Sequence, residues 1–235
     1  MKTQQSTAQA ITCISSMATR SLLAALADHD SRELRRRVVI ESVGGVAAAR
    51  RVQDGEPFDI VVLAAETIER LAEAGRVVAD SRTDLARSGV AIAVAAGAPR
   101  PDIRHEEAVR DAVLAARSIG YSTGPSGSHL AHLFERWGIA ATIAPRIVQA
   151  PPGVPVGSLV ASGEVELGFQ QLSELMHLPG VDVIGPLPPA IQRATVFSAA
   201  LCTTCQRMDE ARAFISFLAS PQAASFKLAH GMEPA

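Results

Sequence analysis

Residues 58–75, FDIVVLAAETIERLAEAG, decide the fold. The run FDIVVLA is apolar almost without interruption. A strand with one wet face would alternate, so this one reads as a parallel strand buried on both faces. AETIERLAEAG follows at once as a helix that ends at Gly75. A doubly buried strand feeding straight into a helix is the repeating unit of an α/β protein.

The same rhythm extends outward in both directions. Upstream, AITCI is a strand and SSMATRSLLAALADHD a helix with Leu22, Leu23 and Leu26 on one face. RRVVIES is the next strand, and GGVAAARRVQDG a helix entered through glycines. Downstream, SGVAIAVAAGAPRP reads as a strand running into a turn, HEEAVRDAVLAARS as a helix and IGYS as a short strand. In SHLAHLFERWGI, Leu130, Leu133, Phe134 and Trp137 fall at i, i+3, i+4 and i+7, a core stripe. PRIVQAPPGVP reads as an extended link. VGSLVASGEVELGFQQ reads as helix, turn and strand, and VDVIGPLPPAIQRATVFSAAL as two strands around a proline-rich loop. MDEARAFISFLAS and PQAASFKLAHG close the chain as helices, the second with proline at its start.

Composition excludes several functions. The 235 residues are 48% hydrophobic and 20% charged with a net charge of −2, which fits a globular chain and leaves no electrostatic footprint for nucleic acid. The one basic cluster, Arg35 to Arg37, reads as a solvated helix end. No apolar run reaches the roughly 20 residues of a membrane span, so the chain is not membrane-embedded. The opening MKTQQSTAQAITCISS lacks the apolar centre of a secretory signal. Location is therefore periplasmic if a signal has been removed, and otherwise cytoplasmic. Three cysteines do not make a disulfide scaffold. Cys202 and Cys205 have redox-motif spacing but follow a late strand, which reads as an incidental pair or a local disulfide. His129 and His132 share a helical face with Arg136, so solvated polar residues are expected there rather than a metal. No metal or cofactor is expected. Glu164 and Glu166 have no carboxylate partner at a useful spacing.

The loops carry the functional signal. CISSM, IESVGGV and GYSTGPSG each take a strand through Ser, Thr or Gly into a helix. In open α/β sheets, ligands gather beyond the carboxyl ends of the strands. A helix N-terminus there offers free N–H groups, and hydroxyls add donors without charge. Converging loops of this kind make an anion site.

The order of these elements resembles the type II periplasmic solute-binding proteins, particularly their molybdate-binding branch. The resemblance rests on GGVAAARRVQDGEPFDIVVLAAETIERLAEAGRVV, DLARSGVAIAVAAGAPRP, LVASGEVELGFQQLSEL, and TVFSAAL through EARAFISFLASPQAASFKLAHGMEPA, and covers nearly the whole chain. It implies a two-lobe α/β fold, each lobe a mixed sheet flanked by helices, with ligand in the cleft between them. Lobe one would take residues 1–87 and 195–235, and lobe two residues 88–194. Carried over by position, the ligand-binding residues are Ser15 or Ser16, the loop Ser42 to Gly45 with Gly44 and Gly45, Ser122, Thr123, Ser126 and Gly127, Pro152 to Val154 with Gly153, and Gln170 with Gln171, of which strand alternation should turn only one into the cleft.

Three departures leave room for a larger oxyanion or a small organic acid. Gln170 and Gln171 stand where molybdate binders commonly carry tyrosine. ESVGGV replaces a serine-rich loop. Arg87, beside Ser88 at the crossover, offers a cation suited to a carboxylate or phosphate. The expected function is capture of a small anion for an ABC-type importer. Some proteins resembling the family are isomerases of unsaturated tricarboxylic acids, such as aconitate isomerase, and that is the alternative. The cleft-facing loops show no obvious general base, only Tyr121 and Glu41 at a distance, which favours binding. A cytoplasmic ligand sensor is a third possibility.

Overall fold

The computed structural model describes residues 10–34, 37–151 and 153–235, so Arg35 and Arg36 of the basic cluster, and Pro152, lie outside the described residues. Along the chain run β1 (Ile11–Ser16), a 3-10 turn Met17–Thr19, α1 (Arg20–Leu34), β2 (Val38–Val43), α2 (Gly45–Gln53), β3 (Ile60–Ala64) and α3 (Ala65–Glu73). Next come β4 (Thr83–Ser88), β5 (Val90–Ala95), α4 (Glu106–Ala115), β6 (Ile119–Tyr121), α5 (Pro125–Arg136), α6 (Ala140–Ile143) and β7 (Ile147–Gln149). The rest is α7 (Val156–Ala161), β8 (Leu167–Gln171), α8 (Leu172–Leu175), β9 (Val181–Pro186), β10 (Thr195–Leu201), α9 (Met208–Ala219), α10 (Ala224–Ala229) and β11 (Glu233–Pro234).

These strands form two mixed sheets. The first has the order β11-β4-β10-β3-β1-β2, and the second β7-β6-β8-β5-β9. β3 is central in the first, parallel to β1 and antiparallel to β10. That explains its unbroken apolar run. Ile60 and Val62 pack into one core with Leu22, Leu23, Leu26, Phe197 and Phe214. Val61 and Leu63 pack into the core on the other face with Ile14, Val52, Ile68 and Leu71. Burying each such side chain is worth about 1.5–3 kcal/mol, so this strand anchors both layers. In the second sheet, Val90, Ile92 and Val94 face Leu130, Leu133, Phe134 and Phe169. Three of the four residues of the α5 stripe are fully buried, while Trp137 is half-buried and donates its indole N–H to Glu106 at 2.6 Å.

The chain crosses between the sheets twice. Gly89 alone separates β4 from β5, and residues 187–194 lead back from β9 to β10. Gln192 ties the two crossings together. Its Oε1 accepts from Val90 N–H at 2.9 Å and its Nε2 donates to Val90 O at 2.9 Å, so the side chain acts as a short strand rung. Gly89 leaves room for this rung, since a Cβ there would come 3.0 Å from Gln192 Nε2.

Cys13, Cys202 and Cys205 are buried free thiols. Burial, first, and neighbouring thiol and Asp59 charge push the Cys202 thiol up to about 12, and Cys13 is raised by the same causes. Burial raises the Cys205 thiol as well, so both members of the pair are held as thiols rather than thiolates at neutral pH. Beside it, Asp59 Oδ2 accepts from Thr12 N–H at 2.8 Å and Thr12 Oγ1 at 3.0 Å, and Oδ1 accepts from Gln206 N–H at 3.2 Å. Burial works against that carboxylate, but the bonds outweigh it and hold its pKa down. The Asp59 cluster thus joins β1, the entry to β3 and the turn after β10.

Candidate functional site

β1, β2 and β3 of the first sheet end at Ser16, Val43 and Ala64, and β6, β7 and β8 of the second end at Tyr121, Gln149 and Gln171. Residues at or just beyond all six of these carboxyl ends line one cleft of about 880 Å³. Two loops approach across it at one end, where a Cβ on Gly44 would sit 3.5 Å from Gly153 N.

The first jaw is Ser16. It occupies the capping position of the turn that follows β1, yet its hydroxyl makes no capping bond. The Oγ is buried without a hydrogen-bond partner in the protein, and Ser16 lines the cleft. A buried hydroxyl left this way costs about 1–3 kcal/mol, which an incoming acceptor repays. Ser15 stands behind it, its Oγ 2.8 Å from Ser42 Oγ. Neither Ser15 nor Ser42 reaches the lining. Gly44 and Gly45, which open α2, do.

The second jaw opens α5. Ser122, Thr123, Gly124, Pro125 and Ser126 line the cleft, with proline at the first position of the helix. Gly127 plays a different part from the ligand contact expected of it. A Cβ there would fall 1.6 Å from Ser122 O, so the glycine lets the loop fold down over its own helix. Gly153 and Val154 line the cleft. Gln170 and Gln171 both do, against the expectation that one would turn away, because β8 ends there and Gln171 already occupies the capping position of α8. Gln171 donates Nε2–H to Thr195 Oγ1 at 2.8 Å, and its Oε1 is buried and unpartnered.

Arg87 and Ser88 do not line the cleft. Arg87 is exposed on β4, in register with Val196 of β10 and Glu233 of β11. Ser88 is buried beside the crossing, and its hydroxyl donates to Ser173 Oγ at 3.4 Å. The cations in the lining are Arg50, Arg70 and Arg193. The loop and α-helix positions of these three carry no motif, so the sequence alone does not separate them from surface arginines.

Glu174 is the other residue the sequence did not yield. It sits on α8, lines the cleft and accepts from Gln170 Nε2 at 2.8 Å. Burial pushes its carboxyl up to about 7, with the Gln170 bond opposing. It is thus partly protonated at neutral pH. His129 and His132 also line the cleft, and His129 Nε2 lies 2.8 Å from Ile191 O in the returning crossing. Of the two distant base candidates, Glu41 is held by Arg51, and Tyr121 packs its ring 6.1 Å from Phe134. Among the described residues, no group of three or more metal-ligating side chains comes together.

Two α/β lobes with a ligand-sized cleft at the strand ends are the architecture of the two-lobe periplasmic binding proteins. The chain belongs to the bacterial extracellular solute-binding protein family, whose model matches residues 11–233. It is 38% identical to an aconitate isomerase from Pseudomonas sp. over 189 residues, which is 80% of this chain and 72% of that protein. Among solved structures, the Azotobacter vinelandii periplasmic molybdate-binding protein superposes with a TM-score of 0.79 at 23% identity, covering 94% of this chain and 98% of that one. The sulfate-binding protein SubI from Mycobacterium tuberculosis superposes with a TM-score of 0.78 at 18% identity, covering 97% and 87%. The fold is therefore the type II periplasmic binding fold. Among the described residues no helix is long and apolar enough to cross a membrane.

Proposed function

We propose that the chain captures a small anion, an oxyanion or an organic carboxylate, between the Ser16 and Ser122–Ser126 jaws and delivers it to an ABC-type importer. The observation that carries this reading is the Ser16 hydroxyl, buried in the cleft wall and used neither as a helix cap nor in any other bond within the protein. Hinge bending at the two crossings would bury the ligand. A likeness to molybdate- and sulfate-binding folds supports an anion. The departures at Gln170 and Gln171, and a cleft of about 880 Å³, leave room for an organic acid. A thermal-shift panel of molybdate, sulfate, phosphate, citrate and aconitate tests the reading. At least one anion should raise the melting temperature of the wild type and lose about tenfold in affinity in Ser16→Ala. Failure of all five to shift the wild type would overturn it.

A second reading is proton transfer on an unsaturated tricarboxylate, and Glu174 favours it. Isomerising such an acid takes a proton from a carbon α to a carboxylate and returns one elsewhere on the allylic system, with no net redox change. A base with a pKa near 7 is suited to both steps. The 38% identity to an aconitate isomerase supports this reading too. Incubating the protein with cis-aconitate and following the proton NMR spectrum decides it: trans-aconitate should appear with the wild type and not with Glu174→Gln. A flat time course with the wild type would remove the reading and leave capture standing.

A further inference from the structure

We propose that Arg70 and Arg193 form a second anchoring station, which selects organic acids bearing two or more carboxylates over a single inorganic oxyanion. The inference rests on the capture reading above and adds the chemical class of the ligand.

Arg70 lies on α3, four residues beyond Glu66, so the two share a helix face, and both line the cleft. Arg193 comes from the returning crossing and reaches the same spot, its Nη2 2.9 Å from a Glu66 carboxylate oxygen. Arg193 thus takes the Glu66 carboxylate, while Arg70 stands one helical turn away without one. Arg70 donates only to the neutral Thr67 Oγ1, at 3.0 Å, and no carboxylate of the described residues lies within ion-pair distance of it. The group of three carries one surplus positive charge, on the wall of a cleft. A ligand carboxylate would complete the second ion pair, and guanidinium is shaped to hold it through two parallel bonds.

The Arg193–Glu66 bond is easily exchanged. Both side chains are more than half exposed, and exposed pairs of this kind are weak. The arginine backbone, in contrast, is fixed, since Arg193 N–H donates to Gln192 Oε1 at 3.0 Å, the side chain that ties the crossings.

The spacing sets the ligand class. Ser16 ends β1, Ala64 ends β3 and Thr195 begins β10, three adjacent strands of the first sheet. Ser16 is level with Leu63 and so with Ser198, and Thr195 lies three residues further along β10. At about 4.8 Å per strand and about 3.3 Å per residue, the Ser16 jaw and the start of β10 stand roughly 14 Å apart. One tetrahedral oxyanion in the serine jaw leaves the arginines unmet. An acid with a carboxylate at each end of a carbon chain can offer one to the serine jaw while the long arginine side chains, whose residues line the same cleft, close on the other.

Tricarballylate, a saturated tricarboxylate with no double bond to isomerise, is the probe, because its binding is read without turnover. Calorimetric titration of the wild type, Arg70→Gln and Arg193→Gln with tricarballylate, and with sulfate as the single-anion control, tests the station. Each variant should lose about tenfold or more for tricarballylate while sulfate affinity, where measurable, stays within about twofold. Glu66→Gln, which frees the Arg193 guanidinium and removes the acid on the same face of α3 as Arg70, should tighten tricarballylate binding. Unliganded melting temperatures near the wild-type value show that the variants fold. Wild-type binding of tricarballylate undiminished in both arginine variants overturns the station and leaves capture intact. Wild-type binding of sulfate alone does the same. Binding of neither probe, together with a silent anion panel, overturns both.

Discussion

Glu174 shows how one side chain can report on the cleft through pH. Its folded pKa, about 7, is above that of an unfolded glutamate, 4.5, with burial as the main cause. A raised acid contributes stability that is fully present below the unfolded value and is lost as pH rises through the folded value. The window is therefore pH 4.5 to 7 and a little beyond. Glu174→Gln keeps an acceptor for the Gln170 amide but cannot ionise. Its melting temperature should match the wild type near pH 5 and exceed it at pH 8, and equal melting temperatures at both pH values would contradict the assignment. Sequence reading could not have found this residue. Nothing in LSEL distinguishes a glutamate facing a cleft from one facing water, whereas Ser16 and Ser122 were legible because their loops lie between strand and helix, where the fold puts ligands. The same limit explains Arg87. Its position beside the crossover was readable, but which way β4 turned its side chains depended on β10 and β11, distant partners with no local signature.

At the scale of elements, the α5 jaw depends on a backbone approach that only glycine permits. A Cβ on Gly127 would meet Ser122 O at 1.6 Å and the Tyr121 ring at 3.0 Å, a clash with main chain that no rotamer change relieves. Gly127→Ala should therefore cost about 2–4 kcal/mol in urea unfolding, well beyond the ordinary helix gain of alanine over glycine. It should also displace the loop and weaken any ligand of the cleft. A neutral or stabilised variant would mean that the loop does not lie over its helix as described. Strand and helix identities were legible here from periodicity: the stripe Leu130, Leu133, Phe134 is buried as spacing requires. Elements without internal pattern were not. β4, TDLARS, mixes charge with apolar residues because it lies near the sheet edge, covered only by the two-residue β11. β7 is three residues long and sits between prolines, so it read as a link.

The whole molecule divides its chain unevenly, and that asymmetry makes the lobe boundaries at 87/88 and 194/195 testable. The first sheet needs both ends of the chain. β10 lies between β3 and β4, and without it β3 loses its antiparallel neighbour while Phe197, Phe214 and Leu218 leave the core they share with Leu22 and Leu23. The second sheet takes all its strands from one continuous segment, β5 to β9, and its cores close among themselves through Val90, Ile92, Leu130, Phe134, Phe169 and Val156. A fragment of residues 88–194 should accordingly fold alone and unfold in urea as one cooperative transition, because its hydrophobic contacts and its β pairings are internal. Residues 1–87 alone should show no such transition, since β4 would have no strand to join it to β3. Adding a 195–235 fragment should restore helical and strand circular dichroism to 1–87 by supplying that central strand. A 1–87 fragment that unfolds cooperatively by itself would contradict the division, for it would have to bury both faces of β3 without the strand the sheet is built around.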